Sequence, residues 1–102
     1  MSRAPKWFAQ KRGKKDANHL TICRALKKLR IFHVDTSGVG DGVLDLLVYD
    51  RLNNPYWVEL KTPKGELTPK QLLFIAELEA RGIAWGVAKT LDAVLALIGV
   101  RA

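Results

Sequence analysis

Two carboxylates and a lysine occupy segments of this chain that are otherwise apolar. Asp45 interrupts the apolar run 43–48, and Glu59 and Lys61 follow in the segment 56–61. A buried charge is costly unless it is paired with an opposite charge or holds a metal ion. An aspartate followed by Glu-x-Lys therefore suggests a nuclease site that holds a divalent cation beside a phosphate group.

The alternation of side chains along a strand predicts how the two carboxylates meet. If Asp45 lies opposite Glu59 in an antiparallel hairpin, Leu47 lies opposite Trp57 and residues 50–54 form the loop. The carboxylates then share one face of the sheet, with Cβ atoms roughly 5 Å apart. Because carboxylates at that separation repel each other, a cation that prefers oxygen ligands, Mg²⁺ or Mn²⁺, would remove the conflict.

The predicted chemistry is hydrolysis of a phosphodiester by water. Asp45 and Glu59 are the candidate metal ligands, and the backbone carbonyl of Leu60 is a further one. Lys61 is placed to steer the attacking water or to neutralise charge on the phosphate. The alternative is a surface ion pair between Glu59 and Lys61, with Asp45 as a polar strand residue.

Gln71 admits two interpretations. It lies three residues after Thr68, which is a good N-cap residue and precedes Pro69, so it completes the pattern of a capping box. Alternatively, its side chain reaches towards Lys61 or a phosphate as a catalytic residue.

Periodicity and turn residues predict a mixed α/β sheet flanked by helices, in the order αβββαβα. The expected strands are 31–35, 43–49, 56–60 and 83–88, and the expected helices are 16–29, 68–81 and 90–98. The glycine-containing loop 36–42 is not followed by Gly-Lys-Ser/Thr, so a nucleotide cofactor is not expected. One stripe of the first helix should face inward: His19, Ile22, Leu26 and Leu29.

The basic charge is concentrated at the start of the chain. Residues 1–30 hold ten Lys/Arg and one acidic residue, whereas residues 31–102 hold seven and nine, which gives the formal net charge of +7. We expect a basic arm at 1–15 and a nuclease domain at 16–102, with DNA as the partner. The candidate DNA-binding residues are Lys6, Lys11, Arg12, Lys14, Lys15 and Lys64.

Length and composition indicate one domain in a reducing compartment. The chain has 102 residues and a single cysteine, Cys23, which we expect to be a small core residue. No apolar run reaches the length of a membrane span, and residues 1–15 do not resemble a secretory signal. These features favour the cytoplasm and no membrane partner.

Around these residues the chain resembles the VRR-NUC branch of the PD-(D/E)xK nucleases. The resemblance covers about residues 16–99 and depends on the segments 45–48, 59–61 and 65–71, of which the last reads Gly-Glu-Leu-Thr-Pro-Lys-Gln. It implies a restriction-endonuclease-like fold, Mg²⁺- or Mn²⁺-dependent cleavage of DNA, often branched or flapped, and a homodimer. It also makes Gln71 a site residue. Short members are typical of bacteriophages and bacteria.

Two positions depart from the family pattern. Leu44 stands where the residue before the aspartate is usually proline, and His19 stands where many members carry a glutamate that faces the metal. A neutral imidazole ligates Mn²⁺ better than Mg²⁺, so His19 is either a metal ligand or a histidine at the edge of the core. Two alternatives to an endonuclease therefore stay open: a non-catalytic nucleic-acid-binding module with a degenerate metal site, and a subunit of a larger complex.

Overall fold

A four-stranded mixed sheet organises the protein. The computed structural model describes residues 17–60 and 66–100. Strands β1, β2 and β3 are successive antiparallel neighbours, and β4 lies parallel to β3 at the far edge. The predicted order αβββαβα is confirmed: α1 (Ala17–Lys28), β1 (His33–Asp35), β2 (Leu46–Tyr49), β3 (Pro55–Leu60), α2 (Pro69–Ala80), β4 (Trp85–Ala88) and α3 (Leu91–Leu97). This mixed sheet flanked by helices is consistent with the restriction-endonuclease-like fold.

The sheet carries a separate apolar cluster on each face. On one face the strand residues Leu46, Val48 and Val58 pack against α1 and α3. The other cluster joins Leu44 to α2, where Trp57 also meets Phe74 edge-on at 5.2 Å between ring centroids. Because side chains alternate along β3, Glu59 lies on the face that α2 covers.

The register of β2 and β3 is the one predicted from the two carboxylates. Leu47 pairs with Trp57, and the loop 50–54 closes the hairpin with an Asp50 N–H to Asn54 carbonyl bond of 3.0 Å. The Asp50 carboxylate also accepts the backbone N–H groups of Asn54 and Leu52, at 2.8 and 2.9 Å. The Asn54 N–H in particular lowers the pKa of Asp50. A loop held this firmly limits slippage of the register.

Strand β2 begins later than predicted, so Asp45 lies just before the strand and not within it. Three consecutive residues with positive φ, Gly40, Asp41 and Gly42, turn the chain away from the extended conformation. The Thr36 side chain then donates to the carbonyl of Leu44 at 2.6 Å. This loop, and not a strand pleat, delivers Asp45 to the sheet.

The predicted buried stripe of α1 is wrong at its last position. Ile22 and Leu26 are buried, but the Leu29 side chain is 52% exposed. Helix α1 ends at Lys28, and Arg30 adopts a φ of 59°, while the Ile31 N–H bonds to the Leu26 carbonyl. The chain therefore leaves the helix directly after Leu29, which lies at the exposed end of the stripe.

The expected first and fourth strands are also shorter, beginning at residues 33 and 85. The residues just before each of them follow a helix C-terminus. Ile83 still bonds back to the end of its helix through its N–H and the Leu78 carbonyl, at 2.9 Å. Backbone N–H groups just before each strand therefore bond to the last carbonyls of the preceding helix, and the strand begins after them.

Gly42 lies where the loop before β2 touches the start of α2. A Cβ at this position would overlap the Lys70 carbonyl and lie 2.9 Å from the Gln71 backbone nitrogen, whereas a Cβ at Gly40 would meet nothing within 4 Å. Both glycines have a φ of 82°. Of these two glycines, therefore, Gly42 is the one required both by its backbone conformation and by close packing.

We expect Gly42→Ala to destabilise the protein more than Gly40→Ala. Both substitutions carry the left-handed penalty of about 1–2 kcal/mol, and only Gly42→Ala adds an overlap costing about 1–3 kcal/mol. Urea unfolding of the two variants measures the difference in the free energy of unfolding. Equal losses in both variants would contradict the close approach.

Candidate active site

The structure brings Asp45 beside Glu59 at the end of the β2–β3 hairpin. The last ladder pair at this end is Leu46 with Val58, and Asp45 and Glu59 are the residues next to this pair in their two segments. Asp45 Oδ2 accepts the backbone N–H of Leu60 at 2.9 Å. The carboxylate of Asp45 therefore lies against β3, next to the residue that was predicted to share its site.

Glu59 is a buried carboxylate near the end of β3. Only 3% of its surface is exposed. Its Oε2 accepts a hydrogen bond of 2.7 Å from the Gln71 side-chain amide. A hydrogen bond to a charged acceptor is roughly twice as strong as a neutral one, and this one offsets part of the cost of burial.

Gln71 occupies the capping position that its sequence context suggested, and its side chain also bonds to Glu59. Its Oε1 accepts the Thr68 backbone N–H at 2.9 Å, and its own backbone N–H donates to the Thr68 hydroxyl at 3.1 Å. The capping box is therefore complete, and the amide nitrogen is directed to Glu59. One primary amide does both because it carries an acceptor oxygen and donor hydrogens on opposite sides.

Leu44 anchors the loop that carries Asp45. Its side chain is fully buried and packs with Ile75 and Leu78 of α2. Where the family usually has proline, this chain thus fixes the residue before the aspartate by burial. The Thr36 N–H adds a second restraint by donating to the Asp45 carbonyl at 2.9 Å.

His19 lies among a different set of groups. It is buried, and its Nε2 is 3.3 Å from Asp35 Oδ1. In residues 17–60 and 66–100, His19, Cys23 and Asp35 form the one group of three potential metal ligands whose atoms lie within 4.8 Å of one another. His19 is thus not grouped with both Asp45 and Glu59 at that distance.

Sequence reasoning missed the participation of Cys23 and Asp35 in this group. The four-residue spacing of His19 and Cys23 on one helix was the available signal. Asp35 needed the packing of α1 against β1, which the sequence did not specify.

Several predicted site residues fall outside the described part of the chain. They are Lys61 and Lys64 after β3 and five residues of the segment 1–15: Lys6, Lys11, Arg12, Lys14 and Lys15. Leu60 itself is described and lies beside Asp45 through its N–H. Lys61 follows it directly in the chain.

The family model of the VRR-NUC domain matches residues 3–91. The chain belongs to the VRR-NUC family. This membership indicates a nuclease-type function, with DNA as substrate and divalent-metal use. No match was found among curated proteins or among solved structures. Of the helices in the described ranges, none has the length and apolar character needed to cross a membrane.

The two roles of Gln71 can be separated by Gln71→Glu. A glutamate retains the acceptor for the Thr68 N–H but places a carboxylate against buried Glu59, so we expect a loss of about 1–3 kcal/mol in the free energy of unfolding at neutral pH. The double variant Glu59→Gln with Gln71→Glu restores a donor–acceptor pair and should recover much of this loss. Denaturant unfolding of the single and double variants measures the coupling.

Thr68→Ala is the matched control. It removes the hydroxyl that accepts the Gln71 backbone N–H in the helix cap, but it leaves the bond between the Gln71 side-chain amide and Glu59 in place. Additive losses in the Glu59 and Gln71 variants, with no recovery in the double variant, would contradict a direct bond between the two side chains.

Proposed function

We propose that this protein is a Mg²⁺- or Mn²⁺-dependent DNA endonuclease whose catalytic residues are Asp45, Glu59, Lys61 and Gln71. The proposal includes selectivity for branched or flapped DNA. The observation that carries it is the pair of adjacent carboxylates, each with one oxygen held by an N–H donor: Leu60 for Asp45, and Gln71 for Glu59.

The residues at this position fit a hard divalent cation. Asp45 and Glu59 offer carboxylate oxygens, and the proposed carbonyl ligand belongs to Leu60, which follows Glu59 in the chain and whose N–H bonds to Asp45. Mg²⁺ and Mn²⁺ prefer oxygen donors of this kind. A carboxylate as buried as Glu59 also benefits most from an opposite charge, because its hydration has been removed.

The cation would bind Asp45, Glu59 and the Leu60 carbonyl, and when bound it polarises the phosphoryl group and lowers the pKa of bound water. Gln71 orients Glu59 and holds one of its oxygens in place. The Leu60 N–H does the same for Asp45. Lys61 neutralises the negative charge that develops on the phosphate as water attacks and the leaving oxygen departs.

Preorganisation distinguishes this arrangement from a surface ion pair of Glu59 and Lys61. An exposed pair of flexible side chains has no fixed geometry and contributes little. Glu59 is instead buried, and the residue that orients it is fixed in turn by the cap of α2. Catalytic groups need this kind of support if they are to stabilise charge without reorganising.

The distribution of positive charge in this chain suits a DNA substrate. Residues 1–30 carry a formal charge of +9, from ten basic residues and one acidic residue. Within this segment the described side chains of Arg24, Lys27 and Lys28 are exposed on α1. Exposed basic groups of this kind attract the phosphate backbone without regard to sequence.

The active species is proposed to be a homodimer, as the resemblance implies. Leu72 and Leu73 on α2 are 53% and 71% exposed, and large apolar side chains at such exposure are available to a second subunit.

Lys61→Ala should abolish cleavage while leaving DNA binding within about twofold, since one phosphate contact among many is lost. The assay uses linear duplex, flap and junction DNA with Mg²⁺ and with Mn²⁺, and the expected order places the branched substrates first. Sedimentation of the same samples gives the mass of the active species.

Lys89→Ala is the matched control for charge. Lys89 is exposed and follows Ala88, the β4 partner of Leu60, so it lies at the same end of the sheet. Undiminished cleavage by the Lys61 variant would contradict the mechanism. Metal-independent binding with no cleavage of any substrate by the unaltered protein would favour the non-catalytic module.

Replacing Lys11, Arg12, Lys14 and Lys15 by glutamine should weaken binding to all DNA substrates alike. If each contacts one phosphate, the slope of log affinity against log salt should fall by roughly 3–4. Arg81→Gln serves as the control, because this exposed side chain pairs with Glu77 on α2. An unchanged salt slope would show that the arm does not contact DNA.

A further inference from the structure

The group of His19, Cys23 and Asp35 is separate from the carboxylates of the proposed function. Asp35 pairs with Leu46 in the β1–β2 ladder, so its side chain leaves the sheet on the face where Leu46 packs against α1. Glu59 leaves the sheet on the face that α2 covers. The two sets of ligands therefore lie on opposite faces of the sheet.

The fold holds these three side chains together for definable reasons. His19 and Cys23 are four residues apart on α1 and therefore project from the same side of the helix. Ile22 and Leu26, exposed by 1% and 0%, fix which side of α1 faces the sheet. Asp35 ends β1, the strand that α1 contacts.

The Asp35 carboxylate is oriented by its own neighbour. Ser37 donates to Asp35 Oδ1 through its backbone N–H at 3.0 Å and through its hydroxyl at 2.6 Å. Hydrogen bonds of this kind orient ligating carboxylates in metal sites. The same oxygen lies 3.3 Å from His19 Nε2.

We propose that His19, Cys23 and Asp35 form a binding site for a transition-metal ion of the Zn²⁺ type, distinct from the Mg²⁺ or Mn²⁺ centre. One thiolate, one imidazole and one carboxylate make three protein ligands, and water completes a tetrahedron. A thiolate and an imidazole select Zn²⁺ over Mg²⁺ and Mn²⁺, which prefer oxygen.

The distances suit this assignment. Around a tetrahedral zinc ion with ligand bonds of about 2.0–2.3 Å, the ligand atoms lie roughly 3.5 Å apart. The three ligand atoms here lie within 4.8 Å of one another. An ion would therefore have to draw the more distant ligand atoms together by roughly 1 Å, through torsional changes that stay within the rotamer wells.

The site is also accessible from solvent. The Asp35 side chain is 29% exposed and Cys23 is partly buried, whereas the His19 side chain is only 7% exposed. An ion would therefore enter past Asp35 and reach the buried imidazole last. Binding displaces the thiol proton, so the affinity should rise with pH up to the range in which free thiols ionise.

The chain's composition allows a sharp test. Cys23 is its one cysteine, and His33 is the one other histidine. The experiment titrates EDTA-treated, full-length protein with Co²⁺, followed by its thiolate charge-transfer absorption, and with Zn²⁺ by calorimetry. We expect one Zn²⁺ per chain and a Co²⁺ charge-transfer band. Cys23→Ser should remove the band, and His19→Gln or Asp35→Asn should weaken Zn²⁺ binding at least about tenfold.

Two controls separate this site from the rest of the protein. His33→Gln alters a histidine whose Nδ1 lies 2.9 Å from the Ile31 carbonyl, and it should leave binding unchanged. Asp45→Asn with Glu59→Gln should abolish nuclease activity but leave the charge-transfer band intact. This double variant distinguishes failure of the zinc proposal from failure of the proposed function.

X-ray absorption of the zinc-loaded, unaltered protein keeps the proposal testable if His19→Gln does not fold. The expected first shell has one sulfur, one imidazole nitrogen and two oxygens. A shell without sulfur, no Co²⁺ charge-transfer band, or Zn²⁺ binding that is unaffected by Cys23→Ser would each overturn the proposal.

Discussion

The hydrogen bond from Gln71 to buried Glu59 is the interaction on which the candidate active site depends. A carboxylate with 3% exposure in an apolar sheet must be compensated locally, and the amide supplies a donor at 2.7 Å. The same amide closes the capping box of α2 through Thr68. The start of a helix and the orientation of a carboxylate are therefore fixed by one side chain, so neither is expected to shift without the other.

The loop before β2 must fit this arrangement closely. Gly42 lets the loop approach the backbone of α2 where a side chain would not fit, and Leu44 then inserts under the same helix. Asp45 follows immediately, with its carbonyl and carboxylate both held by backbone N–H groups. Rigid placement of this kind is what charge stabilisation in a catalytic site requires.

The two faces of the sheet carry two different sets of candidate metal ligands. The carboxylate of Glu59 lies on the face that α2 covers. The imidazole of His19, the thiol of Cys23 and the carboxylate of Asp35 lie on the face that α1 covers. Each face needs its own apolar cluster to hold its helix in place, and the two clusters share no residue. The two proposed ligand sets can therefore occupy one small domain, because the strands between them carry alternate side chains to opposite sides.

The sequence by itself determined the element order, the β2–β3 register and the helix cap, because alternation, turn residues and capping patterns are local. It identified Asp45, Glu59 and Gln71 as candidates, but it left the two roles of Gln71 as alternatives. The tertiary structure decided that Gln71 closes the helix cap and bonds to Glu59 at the same time, and that Asp45 precedes its strand. It also decided that His19 meets Cys23 and Asp35. These outcomes depend on contacts between elements distant in the chain, which local patterns do not encode.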